Sequence, residues 1–157
     1  MALAQPLGRY YIHERSFEEI SQMPDHGITG MLCPVGKDKK YTYFYDNQSI
    51  YKLEKGGKEL LSLYHSNIPH FINAVYRDEQ GVFWIASTQG LYNLDKGKLN
   101  FINTSLFHSA SSVVCDHEGH VWIGSGQDLY SYNPQENRFT LYGEADGAQK
   151  NEYLSKP

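Results

Sequence analysis

Two stretches of this chain are copies of one another. Setting Trp122 on Trp84 also sets Val113 on Val75, Asp116 on Asp78, Gly119 on Gly81, Ile123 on Ile85 and Ser125 on Ser87. Gln127 then falls on Gln89, Leu129 on Leu91, Tyr130 on Tyr92 and Phe139 on Phe101. A fixed period of roughly 20–50 residues is the signature of a stacked array, whose units bury their apolar faces only against each other. That excludes more folds than any local pattern in the chain.

Each copy contains four short apolar segments joined by turns. In the second copy they are expected near 74–78, 82–87, 90–95 and 99–102. Asp78-Glu79-Gln80-Gly81 and Asp116-His117-Glu118-Gly119 place aspartate first and glycine fourth, as a type I turn prefers. Runs such as Val82-Phe83-Trp84-Ile85-Ala86 do not alternate, so both faces of the strand are covered. Thirteen tyrosines suit strands better than helices, and no long segment keeps an apolar helical period. Four antiparallel strands per unit, covered on both faces, predict a β-propeller blade. A flat sandwich is the competing all-β fold, but it does not explain a tryptophan repeated at one register.

The fold class expected is therefore all-β: a partial β-propeller of about three and a half four-stranded antiparallel blades. Residues 1–6 are read as an expression-derived or disordered start, and 7–27 as the second half of a preceding blade with a connector. A degenerate blade spans 28–66, with Tyr43 where the later copies have tryptophan. Its first strand is expected at 28–33 and its first turn, 36–40, is expected to be longer than in the other copies. Further blades span 67–104 and 105–142, and 143–157 is read as a connector and the first strand of another blade.

Length and charge narrow the function classes. A chain of 157 residues can bury a real core. A net charge of −4 without a basic cluster argues against nucleic acid, which is bound through neutralised phosphates. No apolar run reaches the roughly 18–20 residues of a membrane span, and the first residues do not form a signal peptide. Cys33 and Cys115, read as ending equivalent first strands of non-neighbouring blades, are expected to be free thiols.

The pattern V-x-x-D-x-x-G-x-[VF]-W-I-[AG]-S-x-x-x-L-Y, at 75–92 and 113–130, resembles the two-component regulator propeller repeat. Asp146-Gly147-Ala148-Gln149-Lys150-Asn151-Glu152-Tyr153 is similar to the D-G-[LM]-Q-x-N-E-[FY] segment that leads into a late blade of that family. The likeness covers about 7–157 and departs at 28–64, where tyrosine replaces tryptophan. It implies the periplasmic sensor region of a hybrid two-component system, responding to an oligosaccharide and signalling to a histidine kinase and response regulator elsewhere in the protein. The implied chain is not itself an enzyme, and it meets the membrane only through segments it does not contain.

The residues themselves offer few sites. Trp84 and Trp122 could stack on a sugar ring, but their place in continuous apolar strands assigns them to the core with Tyr43, Leu91, Leu129, Phe101 and Phe139. His117 and His120 lack the helical i, i+4 spacing of a catalytic zinc motif, so no metal or cofactor is expected. Asp78, Gly81, Asp116 and Gly119 are assigned to turns. A ligand site would lie in loops. The face shared by the fourth-to-first and second-to-third strand connections would carry Tyr64, His65, Asn67, His70, Gln89, Asn103, Thr104, His108 and Gln127. Their amide, imidazole and hydroxyl groups can hydrogen-bond a sugar, although polar loop residues need no ligand to explain them. The alternative function is a structural or protein-interaction propeller segment without a ligand site. Open blade edges predict self-association, with two copies joined head to tail into a seven-bladed ring.

Overall fold

The computed structural model describes residues 7–143 and 146–147, which fall into two compact units divided between His65 and Ser66. The described residues form fourteen β-strands, and among them no segment is α-helical.

The first unit opens with a hairpin, β1 (Gly8–Tyr11) and β2 (Ser16–Glu19), which pairs Tyr10 with Phe17. A four-stranded antiparallel sheet follows: β3 (Cys33–Lys37), β4 (Tyr41–Tyr45), β5 (Ser49–Glu54) and β6 (Leu60–His65), in that spatial order. Ile20, Tyr51, Leu53 and Leu60 form the core between hairpin and sheet, with Leu7, Ile28, Leu32 and Phe44 packed on it. A parallel bridge from Gln22 to Glu59 and the amide of Leu60 bonded to the Gln22 carbonyl (2.9 Å) lace the connector to the edge strand.

The second unit holds two such sheets. One runs β7 (Ile72–Arg77), β8 (Phe83–Ser87), β9 (Gly90–Asp95), β10 (Lys98–Ile102). The other runs β11 (Ser112–Cys115), β12 (Val121–Ser125), β13 (Asp128–Asn133), β14 (Arg138–Tyr142). In each of the three four-stranded sheets every strand pairs with its neighbour in sequence, a meander like that of a propeller blade. All five residues of β8 are buried, as its unbroken apolar run requires.

The two sheets of this unit pack face to face. Trp84, Ala86 and Leu91 from the first meet Val113, Val121, Ile123, Tyr130 and Tyr132 from the second, with Phe107 and Ala110 of the connector between them. Tyr132 meets Trp84 edge-on at a centroid distance of 6.1 Å and lies 4.6 Å from Phe139. Each fully buried side chain of this size contributes about 1.5–3 kcal/mol, so this interface is the main apolar source of stability in the unit.

The turn aspartates do more than cap their own backbone. Asp78 Oδ1 accepts the amides of Gln80 and Val82, while its Oδ2 accepts the Trp84 indole N–H at 2.9 Å. Asp116 repeats this with Glu118, His120 and, at 2.8 Å, Trp122. In the first sheet Asp38 Oδ1 accepts the amides of Lys40 and Tyr41, and the Tyr43 hydroxyl donates to Oδ2 at 2.6 Å. Tyrosine can stand in for tryptophan because its hydroxyl reaches the same carboxylate. Gly81 and Gly119 both have φ of 85°, which glycine adopts without strain.

Several details differ from the sequence reading. The first strand of the degenerate repeat is Cys33–Lys37, not 28–33, because Pro34 and Gly36 are accommodated at a bulge and the chain stays paired through Lys37. Its turn is consequently short, closing with the Asp38 amide on the Tyr41 carbonyl at 2.9 Å. Cys33 therefore opens its strand whereas Cys115 closes one, so the two are not equivalent; both are free thiols. Burial raises the Cys115 thiol to about 12, with help from the Asp78 and Asp116 charges. Phe101, expected in the core, is 51 % exposed, because β10 is the outer strand; its ring packs on Tyr92, 4.9 Å away, and over Gly90. Trp122 and Leu129 are half-buried, while Tyr43, Trp84 and Leu91 are buried and Phe139 is partly so. The segment similar to D-G-[LM]-Q-x-N-E-[FY], and the further strand expected with it, run beyond Gly147 outside the described residues.

Candidate functional site

The richest polar cluster of the first unit gathers at the β4–β5 turn. Asp46 is 1 % exposed, and four donors converge on its carboxylate. The amides of Gln48 and Ser49 reach Oδ1 at 2.9 and 2.8 Å. The Thr29 amide and the Tyr51 hydroxyl reach Oδ2 at 2.7 and 2.6 Å. A buried carboxylate needs such saturation, since each missing partner costs about 1–3 kcal/mol. Burial, followed by the bond to Asp46, raises the Tyr51 phenol far above its ordinary range, so it remains a donor. Asp46 occupies the repeat position that holds Ser87 and Ser125 in the other sheets, as the pairing of Tyr45 with Ile50 and of Ala86 with Leu91 shows.

His65, at the end of β6, joins this cluster through Ser49, whose hydroxyl lies 2.8 Å from His65 Nδ1. The imidazole of His26 stacks on that of His65 at 3.9 Å with 14° between planes, and its Nε2 lies 3.1 Å from the Ser62 hydroxyl. A serine bonded to a histidine invites a hydrolytic reading. Ser49, however, is fully buried, so its oxygen is closed to a substrate. His26 is exposed, but both its ring nitrogens are engaged within the chain, Nδ1 with the Gly27 carbonyl at 2.9 Å and Nε2 with Ser62, so the pair offers a ligand mainly its ring surface.

The nine loop residues expected to share a ligand face are divided between the units. Tyr64 and His65 lie at the end of β6, both half-buried. In the second unit Asn67 and His70 are exposed in the loop before β7, with His70 left-handed at φ 52°. Gln89 and Gln127 are exposed in the β8–β9 and β12–β13 turns. Asn103, Thr104 and His108 belong to the β10–β11 connector, where the Thr104 hydroxyl accepts the Leu106 amide at 3.1 Å. That connector is drawn against the β8–β9 turn: the Ala110 amide bonds the Ser87 carbonyl at 2.8 Å, and the Asn73 side chain donates to the Ala110 carbonyl at 2.7 Å. Gly90, with φ of 117°, lies under this approach; a Cβ there would stand 3.3 Å from the Phe101 ring. Sequence reading missed Asp46, Ser49, Tyr51 and His26; the one available signal was aspartate at a turn position where the other repeats have serine.

The opposite end of the first unit carries a groove of about 420 Å³ lined by Arg9, Lys37, Lys39, Lys40, Lys55 and Tyr41, together with Asp38 and Glu54. Lys40 and Lys52 place their ammonium groups 5.1 and 4.5 Å from the Tyr41 ring centroid. Lys37, Lys39 and Lys40 are neighbours in the sequence, and folding adds Arg9 and Lys55 to them. Lys40 is partly neutralised by Glu54 at 3.5 Å, and Arg9 donates to the Gly57 carbonyl.

Among the described residues one group has metal-ligand chemistry: one ligand atom each of Asp116, Glu118 and His120 lies within 4.8 Å of the others. The Asp116 carboxylate already accepts the Trp122 indole and two backbone amides, which leaves it poorly placed to serve as a metal ligand. The leading effect of that indole holds the carboxyl at about 2, against an opposing contribution from burial.

No family model matches the chain, and no curated protein matches it. Solved structures do. The extracellular domain of BT4673 from B. thetaiotaomicron, designated a hybrid two component system, superposes with a TM-score of 0.66 at 15 % identity, over 88 % of this chain and 22 % of that one. The extracellular domain of BT3049 from the same organism, similarly designated, gives a TM-score of 0.58 at 15 % identity, over 94 % of this chain and 19 % of that one. The chain thus shares the fold of these domains and spans about a fifth of their length.

Proposed function

We propose that this chain is a ligand-sensing propeller segment of a hybrid two-component system. It contributes to recognition of an oligosaccharide outside the cytoplasm and signals to a kinase carried elsewhere in the protein. The supporting observation is the shared fold with two extracellular domains designated as parts of such systems. The cluster at the β4–β5 turn does not suit hydrolysis, because its serine is buried and its carboxylate saturated. Two surfaces suit a sugar. The exposed ring of His26, stacked on His65, offers a flat surface to a sugar, and the groove beside Tyr41 offers an aromatic face with lysines for an acidic sugar.

Titration calorimetry against neutral and uronate-bearing oligosaccharides tests this reading. Binding of a neutral sugar weakened roughly tenfold by His26→Ala places the site at the stacked imidazoles. Binding of an acidic sugar that is lost in Lys39→Ala and at high salt places it in the basic groove. Absence of heat with every sugar refutes ligand recognition by this segment and leaves the structural reading, which the saturated bonding of Asp46 favours.

A further inference from the structure

The segment that joins the first hairpin to β3 is laced to the sheet of its own unit at both ends. Gln22 is bridged to Glu59, and the Thr29 amide donates to Asp46 at 2.7 Å. The Gly27 carbonyl accepts the Tyr51 hydroxyl at 3.2 Å, and the Gly27 amide closes a turn on the Pro24 carbonyl at 2.9 Å. Between these ties, among the described residues, 23–26 hydrogen-bond to the sheet through His26 alone. Its Nε2 lies 3.1 Å from the Ser62 hydroxyl, and its ring stacks on that of His65 at 3.9 Å.

The partners of the two rings tolerate a proton. The Gly27 carbonyl only accepts, so His26 Nδ1 carries the hydrogen and the neutral Nε2 accepts from Ser62. When Nε2 is protonated, the Ser62 hydroxyl can turn to the Tyr64 carbonyl at 3.4 Å and accept instead. His65 is likewise met by a hydroxyl, that of Ser49, which can give or take a hydrogen. The stack is less tolerant, because two imidazolium rings this close repel face to face.

The groups around the pair do not offset two charges. Asp46 is the one carboxylate of the cluster, and it reaches His65 only through Ser49. Tyr51, 5.9 Å from His26, and Tyr64 beside His65 contribute only phenols. Asp25, next to His26 in the chain, is exposed and its charge is screened by water.

We propose that the His26–His65 stack is an acid-sensitive latch: protonation of both rings parts them and frees 23–26 from β6. Rings that have come apart each take up a proton as ordinary imidazoles do, near pH 6.5, whereas the stack resists the second. The released form binds more protons, so the latch is fully stable at neutral pH and weakens as the pH falls through that range. It lies within the first unit and holds whether or not the chain binds a sugar.

Amide exchange of the full chain, read residue by residue by NMR and corrected for the intrinsic effect of pH, tests it. Protection of the Gly27 amide, which closes the turn behind His26, should fall roughly tenfold from about pH 7.5 to about pH 5.5, while β12 and β13 keep theirs. His26→Phe keeps a ring against His65 and removes one charge, and His65→Gln removes the other. Either should hold the change below about twofold. His26 is exposed, so the circular dichroism of His26→Phe at neutral pH remains that of the parent. His13→Phe, at an exposed histidine in the first hairpin, should respond to pH as the parent does. Constant protection in the unmodified chain, an equal loss in β12 and β13, or a response undiminished in His26→Phe overturns the proposal.

Discussion

The faces that carry Trp84 and Trp122 are one sequence pattern in two environments. Both tryptophans follow an aspartate turn, both donate their indole N–H to that aspartate, and both sit at the centre of a four-stranded sheet. One is sealed under a neighbouring sheet and the other is half open. The clasp between aspartate and indole is thus a property of the repeat, made locally by each copy. Burial is a property of the neighbour, and the same residue contributes differently to stability according to what stands beside it.

Truncating the two tryptophans should separate these contributions. Trp84→Ala leaves a cavity between packed sheets and is expected to cost about 3–5 kcal/mol, while Trp122→Ala costs about half of that, both read from urea unfolding. Equal losses would mean that the clasp, not the covering sheet, carries most of the energy.

Acid unfolding isolates the clasp itself. The Asp116 carboxyl lies at about 2 in the folded chain, below its ordinary value, so the unfolded chain takes up this proton first as the pH falls. The corresponding stability is present above about pH 4 and is lost as the pH approaches 2. Asp116→Asn should flatten that acid limb and leave the neutral region little changed in slope; an unaltered limb would show that other carboxylates set it.

The smallest expected difference is spectroscopic. With Trp84→Phe only Trp122 emits, and with Trp122→Phe only Trp84 does. Acrylamide should quench the first more steeply than the second, and indistinguishable slopes would place both indoles in the same environment.

Much of this architecture can be read from the repeat, because the residues that define it act over short range. Asp78, Gly81 and Trp84 lie within one hairpin and state its geometry directly. The shift of the degenerate first strand to Cys33–Lys37 was illegible because Pro34 and Gly36 read as punctuation, whereas the sheet absorbs them at a bulge. The exposure of Phe101 depends on its place on an outer strand, which residue type does not encode. The cluster around Asp46 joins Thr29, Tyr51 and, through Ser49, His65, and no spacing rule anticipates a convergence that only the folded connector creates.

Because every strand finds its partner in the adjacent stretch of chain, the contacts within a sheet are short in sequence and carry little loop-closure cost. Such a sheet can assemble as soon as its own residues leave the ribosome, without waiting for distant segments. An added or deleted module then changes the size of the protein without rewiring its hydrogen bonds, which lets a gene of this kind lengthen or shorten by whole modules.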